Sequence, residues 1–375
     1  MLAWRLTGSR ERSMVSIPQC FSESYAEARG KFCSAAADAG GAIRSWANPH
    51  GKGPNGEALY LDTARFGPAD ASRMLVLIAG THGVEGHCGS GGQIAWLRTG
   101  GPATLPKDTG ALLVHAINPH GFAWTRRVNE DNVDLNRNFV DHDKPYPRND
   151  GYLAVADAIL PHDWDAASKA ESQRVFDSYA QKHGAFALQS AITGGQYTHP
   201  DGVFYGGAKP VWSNRTIRAI AREELGRAAR VGVIDFHTGL GPFGHGELIC
   251  TVPPSARSFA RARAWYGEEM TSPESGTSTS AVVVGVMTDA FAQELPDAEV
   301  TSIAIEYGTH SVPEVLGAVR ADNWLHQRGD LASPLGHELK ADMKESFFPA
   351  GDRWREMVWA RADQTIGWAL KGLVG

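Results

Sequence analysis

Cysteine is scarce in this chain. There are four among 375 residues (Cys20, Cys33, Cys88 and Cys250), and no two form a Cys-x-x-Cys pair. So few in so long a chain excludes a disulfide framework, and they read as reduced thiols. Cys88 reads as a small buried hydrophobe. Runs of basic residues are also missing. With 36 basic and 42 acidic residues the net charge is -6, and nucleic acid is excluded as a partner. No stretch approaches the roughly 18 apolar residues of a membrane span. The first sixteen residues, MLAWRLTGSRERSMVS, lack the apolar centre of a signal peptide. Residues 1–16 therefore read as a disordered extension, with Met14 a candidate start, and a cytoplasmic location follows by default. No repeat, low-complexity tract or linker divides the remainder, so 17–375 reads as one domain.

What the sequence does contain is a set of short apolar runs. SRMLVLIA (72–79), ALLVHAINP (111–119), VGVIDFHTG (231–239) and EVTSIAIEYG (299–308) suit strands buried on both faces. GELICTV (246–252) and AVVVGVM (281–287) are weaker strand candidates, and 49–58 suits a turn. Helical patterns fall at 24–40, 90–98, 171–192, 213–228, 255–270, 312–327 and 352–373. The alternation predicts an α/β fold: a single domain with a mixed, mostly parallel central sheet flanked by helices. Residues 141–170 read as a long loop or insertion, rich in Asp, His, Pro and Trp.

Three of the four strong strands stop at ionisable residues beside glycine. The first runs into Thr81-His82-Gly83-Val84-Glu85, the second into Asp235-Phe236-His237-Thr238-Gly239, and the third into Glu306-Tyr307-Gly308. Ligands bind beyond the carboxyl ends of strands in open α/β sheets. If the three are parallel neighbours, two His and two Glu share one crevice, which is a catalytic zinc inventory. Gly83 and Gly86 allow a turn tight enough to aim His82 and Glu85 at one point. The His82-to-His87 step is five residues, unlike the pair in a His-Glu-x-x-His helix. Glu247 competes for the carboxylate role, but Glu85 is local to a ligand and follows a stronger strand. A second constellation, Arg126-Arg127-Val128-Asn129-Glu130-Asp131-Asn132-Val133-Asp134-Leu135-Asn136-Arg137-Asn138-Phe139, suits grip of an anion.

The order His82-x-x-Glu85, Asp134-Leu135-Asn136-Arg137, His237 after a strand and Glu306 after a later strand resembles the zinc carboxypeptidase superfamily. That group includes carboxypeptidase A-like peptidases and the aspartoacylase and succinylglutamate desuccinylase branch. The wording RRVNEDNVDLNRNF and DFHTGLG resembles an uncharacterised bacterial branch most closely. The resemblance implies one zinc ion on His82, Glu85 and His237, with Glu306 as general base. It implies Arg127, or else Arg126, polarising the scissile carbonyl, and Asn136 and Arg137 holding a substrate carboxylate. Asp134 would orient a ligand histidine.

The chain departs from the classical peptidases in one respect. AVVVGVMTD, the region before the base, holds no tyrosine, so a phenol would come from Tyr197, Tyr205 or Tyr307. The leading reading is a metallocarboxypeptidase-like hydrolase of an amide bond beside a free carboxylate. The second is a deacylase or amidase acting on N-acyl amino acids, and the third a metal-binding protein without activity. An insertion near 141–212 is expected to cover the pocket and exclude long peptides. Partners are a small-molecule or short-peptide substrate, with no membrane; a homo-oligomer is left open. Trp354, Trp359 and Trp368 in the last helix read as core packing.

Overall fold

The computed structural model describes residues 15–375; all but the last two residues of the expected 1–16 extension lie outside them. Seven strands form one sheet: β1 (Ala42–Lys52), β2 (Ala58–Phe66), β3 (Arg73–Ala79), β4 (Thr109–His115), β5 (Arg230–Gly239), β6 (Gly246–Ile249) and β7 (Glu299–Gly308). Their order is β1-β2-β4-β3-β5-β7-β6. The four central strands run parallel, while β1, β2 and β6 join antiparallel. The sheet is mixed with a parallel centre, and the chain is a single α/β domain.

Side-chain alternation along the central strands divides the core. Leu75 and Leu77 of β3, Leu113 of β4, and Ile234 and Phe236 of β5 face one layer, with Phe32, Trp96 and Trp354. Met74, Val76, Ile78, Leu112, Val114, Val231 and Val233 face the other, with Ile217 and Ile220. Both faces are covered, which is why these strands read as continuous apolar runs. Trp354 is fully buried, and Trp359 and Trp368 pack at the margin of the same cluster. The cysteines are free, and Cys88 is fully buried. No helix among the described residues is long and apolar enough to cross a membrane.

Several elements differ from the sequence reading. The 49–58 segment is the end of β1, a tight connection, and the start of β2. β1 is an edge strand with most of its residues exposed, so it carries no apolar signature. Residues 281–287 form no strand: Gly285 adopts φ +83°, and Val283 and Val286 turn toward a cavity while Val282 and Val284 face outward. The apolar run there serves a loop wall and not a sheet. The 171–192 pattern is two helices, Ala166–His183 and Ala185–Thr193, broken where Gly184 takes φ +96°. The 141–170 stretch contains a helix, Asp150–Ile159, capped by Asn149.

His87 and His115 are fully buried, and burial holds both near a pKa of about 4. His87 contacts the Ser22 carbonyl, and His115 pairs with Ser90 Oγ at 2.9 Å. The unfolded chain takes up these protons near pH 6.5, before the folded one does. Stability is therefore complete above about pH 6.5 and lost as pH falls toward 4, by up to about 2 kcal/mol per histidine at pH 5. Melting temperature measured from pH 8 to 5 is expected to fall on the acid side. His115→Gln should flatten that slope; an unchanged slope would contradict the assignment.

Candidate metal centre

β3, β5 and β7 are adjacent and parallel, so their carboxyl ends meet at one place. His82 follows β3, and His237 lies in β5 directly opposite Glu306 of β7 in the register. The turn after β3 depends on close backbone packing. A Cβ on Gly83 would lie 2.0 Å from the Gly121 carbonyl carbon, so only glycine fits. The turn is pinned from outside, Gly83 N donating to Arg127 O at 3.1 Å and Val84 N to Arg126 O at 2.8 Å. A 3-10 turn over Gly83–Glu85 then swings Glu85 back toward His82.

His82 Nδ1 lies 2.9 Å from Glu85 Oε1, His237 Nδ1 lies 2.8 Å from Glu85 Oε2, and the two Nδ1 atoms are 3.2 Å apart. All three side chains are buried. Each imidazole is held from behind: His82 Nε2 faces Asp134 Oδ1 at 3.2 Å, and His237 Nε2 faces Asp235 Oδ2 at 2.7 Å. Thr81 Oγ1 donates to both oxygens of Asp235. Carboxylates behind Nε2 favour the tautomer with the proton on Nε2, which leaves both Nδ1 lone pairs pointing inward. Two facing lone pairs beside a carboxylate repel one another unless a cation or a proton stands between them.

Charge gives the same answer. Glu85, Asp134, Asp235 and Glu306 are buried together with only Arg127 and Arg137 as fixed cations. One dication or two protons would balance the set. Protons have their places: burial opposes charge on His237, but Asp235 and Glu85 outweigh it and raise its pKa well above normal. Burial, then Glu85, pushes Glu306 up to about 8. Glu85 and Asp134 are also penalised by burial, yet His82 and His237 beside Glu85, and Arg127 and Arg137 beside Asp134, hold them below the usual carboxylate range. The donor set of two nitrogens and one carboxylate fits zinc with a position left open.

Around this centre, Arg127 Nε donates to Asp134 at 2.9 Å and its Nη1 lies 3.4 Å from Glu85. Arg127, Asn136, Arg137 and Glu306 all line one cavity with the three ligand candidates. Asn136 Oδ1 accepts from Met287 N. Arg137 donates to the Asn136 and Thr193 carbonyls, and its buried Nε has no partner. Leu240 N donates to Glu306 Oε1 at 3.0 Å.

Other expected site residues lie elsewhere. Arg126 turns away from the cavity to Asp322 and Asn132. Tyr197 donates its hydroxyl to the Arg137 carbonyl and stacks on Tyr146. Tyr205 is buried in a sheet-face core, and Tyr307 donates to the Val358 carbonyl. The cavity lining contains no tyrosine among the described residues. His87 stacks on Phe348, away from His82. Glu247 anchors Thr271 and Thr279. The sequence reading gave Asp235 no role, although its i, i+2 spacing from His237 on a strand places both on one face.

Asp235→Asn, which disturbs the tautomer of His237, is expected to weaken zinc affinity about 10- to 100-fold. Competition with a chromophoric chelator measures this, and wild-type affinity in the variant would refute the orienting role.

No curated protein matches the chain in sequence. Among solved structures, it resembles carboxypeptidase A from Helicoverpa armigera at 15% identity and TM-score 0.42, over 90% of this chain and 76% of that one. It resembles the murein-tripeptide amidase MpaA from Escherichia coli O157 at 19% identity and TM-score 0.33, over 80% of this chain and 95% of that one. A third is a protein placed in the succinylglutamate desuccinylase/aspartoacylase family, from Shewanella amazonensis, at 18% identity and TM-score 0.35, over 77% and 73%. The family model described as "Protein of unknown function (DUF2817)" matches residues 21–361, and the chain belongs to that family.

Proposed function

We propose that the protein is a zinc-dependent hydrolase that cleaves a peptide or N-acyl amide bond next to a free carboxylate. The supporting observation is the convergence of His82 Nδ1, His237 Nδ1 and Glu85, with Glu306 opposite His237 on the next strand. Zinc, when bound, lowers the pKa of a water to about 7 and polarises a carbonyl oxygen.

The protein's own groups supply the rest. Burial and then Glu85 oppose the ionisation of Glu306, and a dication on Glu85 would favour its carboxylate form. As a carboxylate it would take a proton from the attacking water and return it to the leaving nitrogen. Arg127 uses Nε and Nη1 on Asp134 and Glu85, which hold the guanidinium at the cavity wall to donate to the developing oxyanion. Asn136 and Arg137, whose Nε is buried without a partner, would hold the substrate carboxylate. The C–N bond breaks, a C–O bond forms, and the products are a carboxylic acid and an amine. Gln189 and Thr193, from the 141–212 segment, line the same cavity. A carboxypeptidase-like reaction on short peptides is one form of this activity, and deacylation of N-acyl amino acids is the other.

Glu306→Gln is expected to keep one zinc per chain while turnover falls about 10²- to 10⁴-fold. Arg127→Ala should lose about 10²- to 10³-fold in turnover. Steady-state kinetics beside metal analysis checks both, and full activity in the Gln variant would remove Glu306 as the base. Chelation should abolish hydrolysis and added zinc should restore it; activity that survives complete zinc removal would rule out the metal.

A further inference from the structure

We infer that the acyl half of the substrate is an aliphatic chain, so that the substrates are N-acyl amino acids carrying medium-length fatty acyl groups. This rests on the hydrolase reading above and adds the substrate class. The cavity that contains the metal ligands has a second wall made by the helix Val312–Arg328. Val312, Val315, Leu316 and Val319 lie at helical spacing on the face that lines it, with Phe347 beside them. The seven steps of helical rise from Val312 to Val319 make a strip about 10 Å long. The strip abuts the end of β5: a Cβ on Gly239 would lie 3.1 Å from Phe347 and 3.4 Å from Val315.

The backbone bordering this strip is already paired. Thr238 N donates to Glu85 Oε2, Leu240 N to Glu306 Oε1, and Thr309 Oγ1 to Gly239 O. Thr238 Oγ1 donates to Phe347 O. A peptide lying here would find these backbone groups taken, and each of its own N–H and C=O groups buried without a partner carries a penalty. A methylene chain carries no such groups.

The test is a series of N-acetyl-, N-butanoyl-, N-hexanoyl- and N-octanoyl-leucine, with N-acetyl-leucyl-leucine as the peptide comparison. For the zinc-loaded protein, kcat/KM is expected to rise about fourfold per buried methylene until the chain leaves the strip. Leu316→Gln and Val312→Ser should both flatten that dependence. Val312 is 37% exposed, so its serine variant stays interpretable even if the Leu316 variant fails to fold. Calorimetric binding of the same series to zinc-loaded Glu306→Gln should show the same rise in affinity without turnover. Hydrolysis that is indifferent to chain length, or faster on the dipeptide than on octanoyl-leucine, would overturn the aliphatic assignment and leave the hydrolase reading standing. No hydrolysis of any of these amides by the zinc-loaded wild type would overturn the hydrolase reading itself.

Discussion

The rest of the site follows from two imidazole nitrogens, His82 Nδ1 and His237 Nδ1, held 3.2 Å apart. Neither can relieve the other, and the carboxylate between them is an acceptor too. The fold maintains the arrangement because Asp134 and Asp235 hold the outer nitrogens and Thr81 holds Asp235. Everything nearby adjusts to the unbalanced negative charge. Arg127 is drawn between Asp134 and Glu85, and Glu306 resists ionisation.

The parallel sheet supplies the geometry. Three neighbouring parallel strands bring their carboxyl ends to one place, and the β5–β7 register sets Glu306 beside His237 without any loop having to place it. The turn after β3 needs close backbone packing, and Gly83 provides it by letting the turn touch Gly121. The Arg126-Arg127 peptide carbonyls hold that turn in place, so the segment that supplies Arg127 also braces His82 and Glu85, two of the ligand candidates.

Much of this was legible in the sequence because buried parallel strands leave continuous apolar runs, and functional residues interrupt them abruptly at their ends. His82, Glu85, His237 and Glu306 stood out for that reason, and the structure brings them to one cavity. The β1–β2 hairpin was not legible, since the outer strand is exposed and has no hydrophobic face to reveal. AVVVGVM misled because an apolar run reports hydrophobic side chains and not whether a strand has a partner. Arg126 and Arg127 are neighbours of the same type, and only the fold separates them, one facing Asp322 and the other Glu85. Asp235 was in plain sight at i, i+2 from His237, but its role depends on a tautomer that no spacing states.

The most direct test is anomalous diffraction at the zinc absorption edge from crystals grown with zinc. The account predicts a single strong peak bounded by His82 Nδ1, His237 Nδ1 and Glu85, with the imidazole Nε2 atoms still on Asp134 and Asp235. No peak there, or a peak only at another group of side chains, would contradict it.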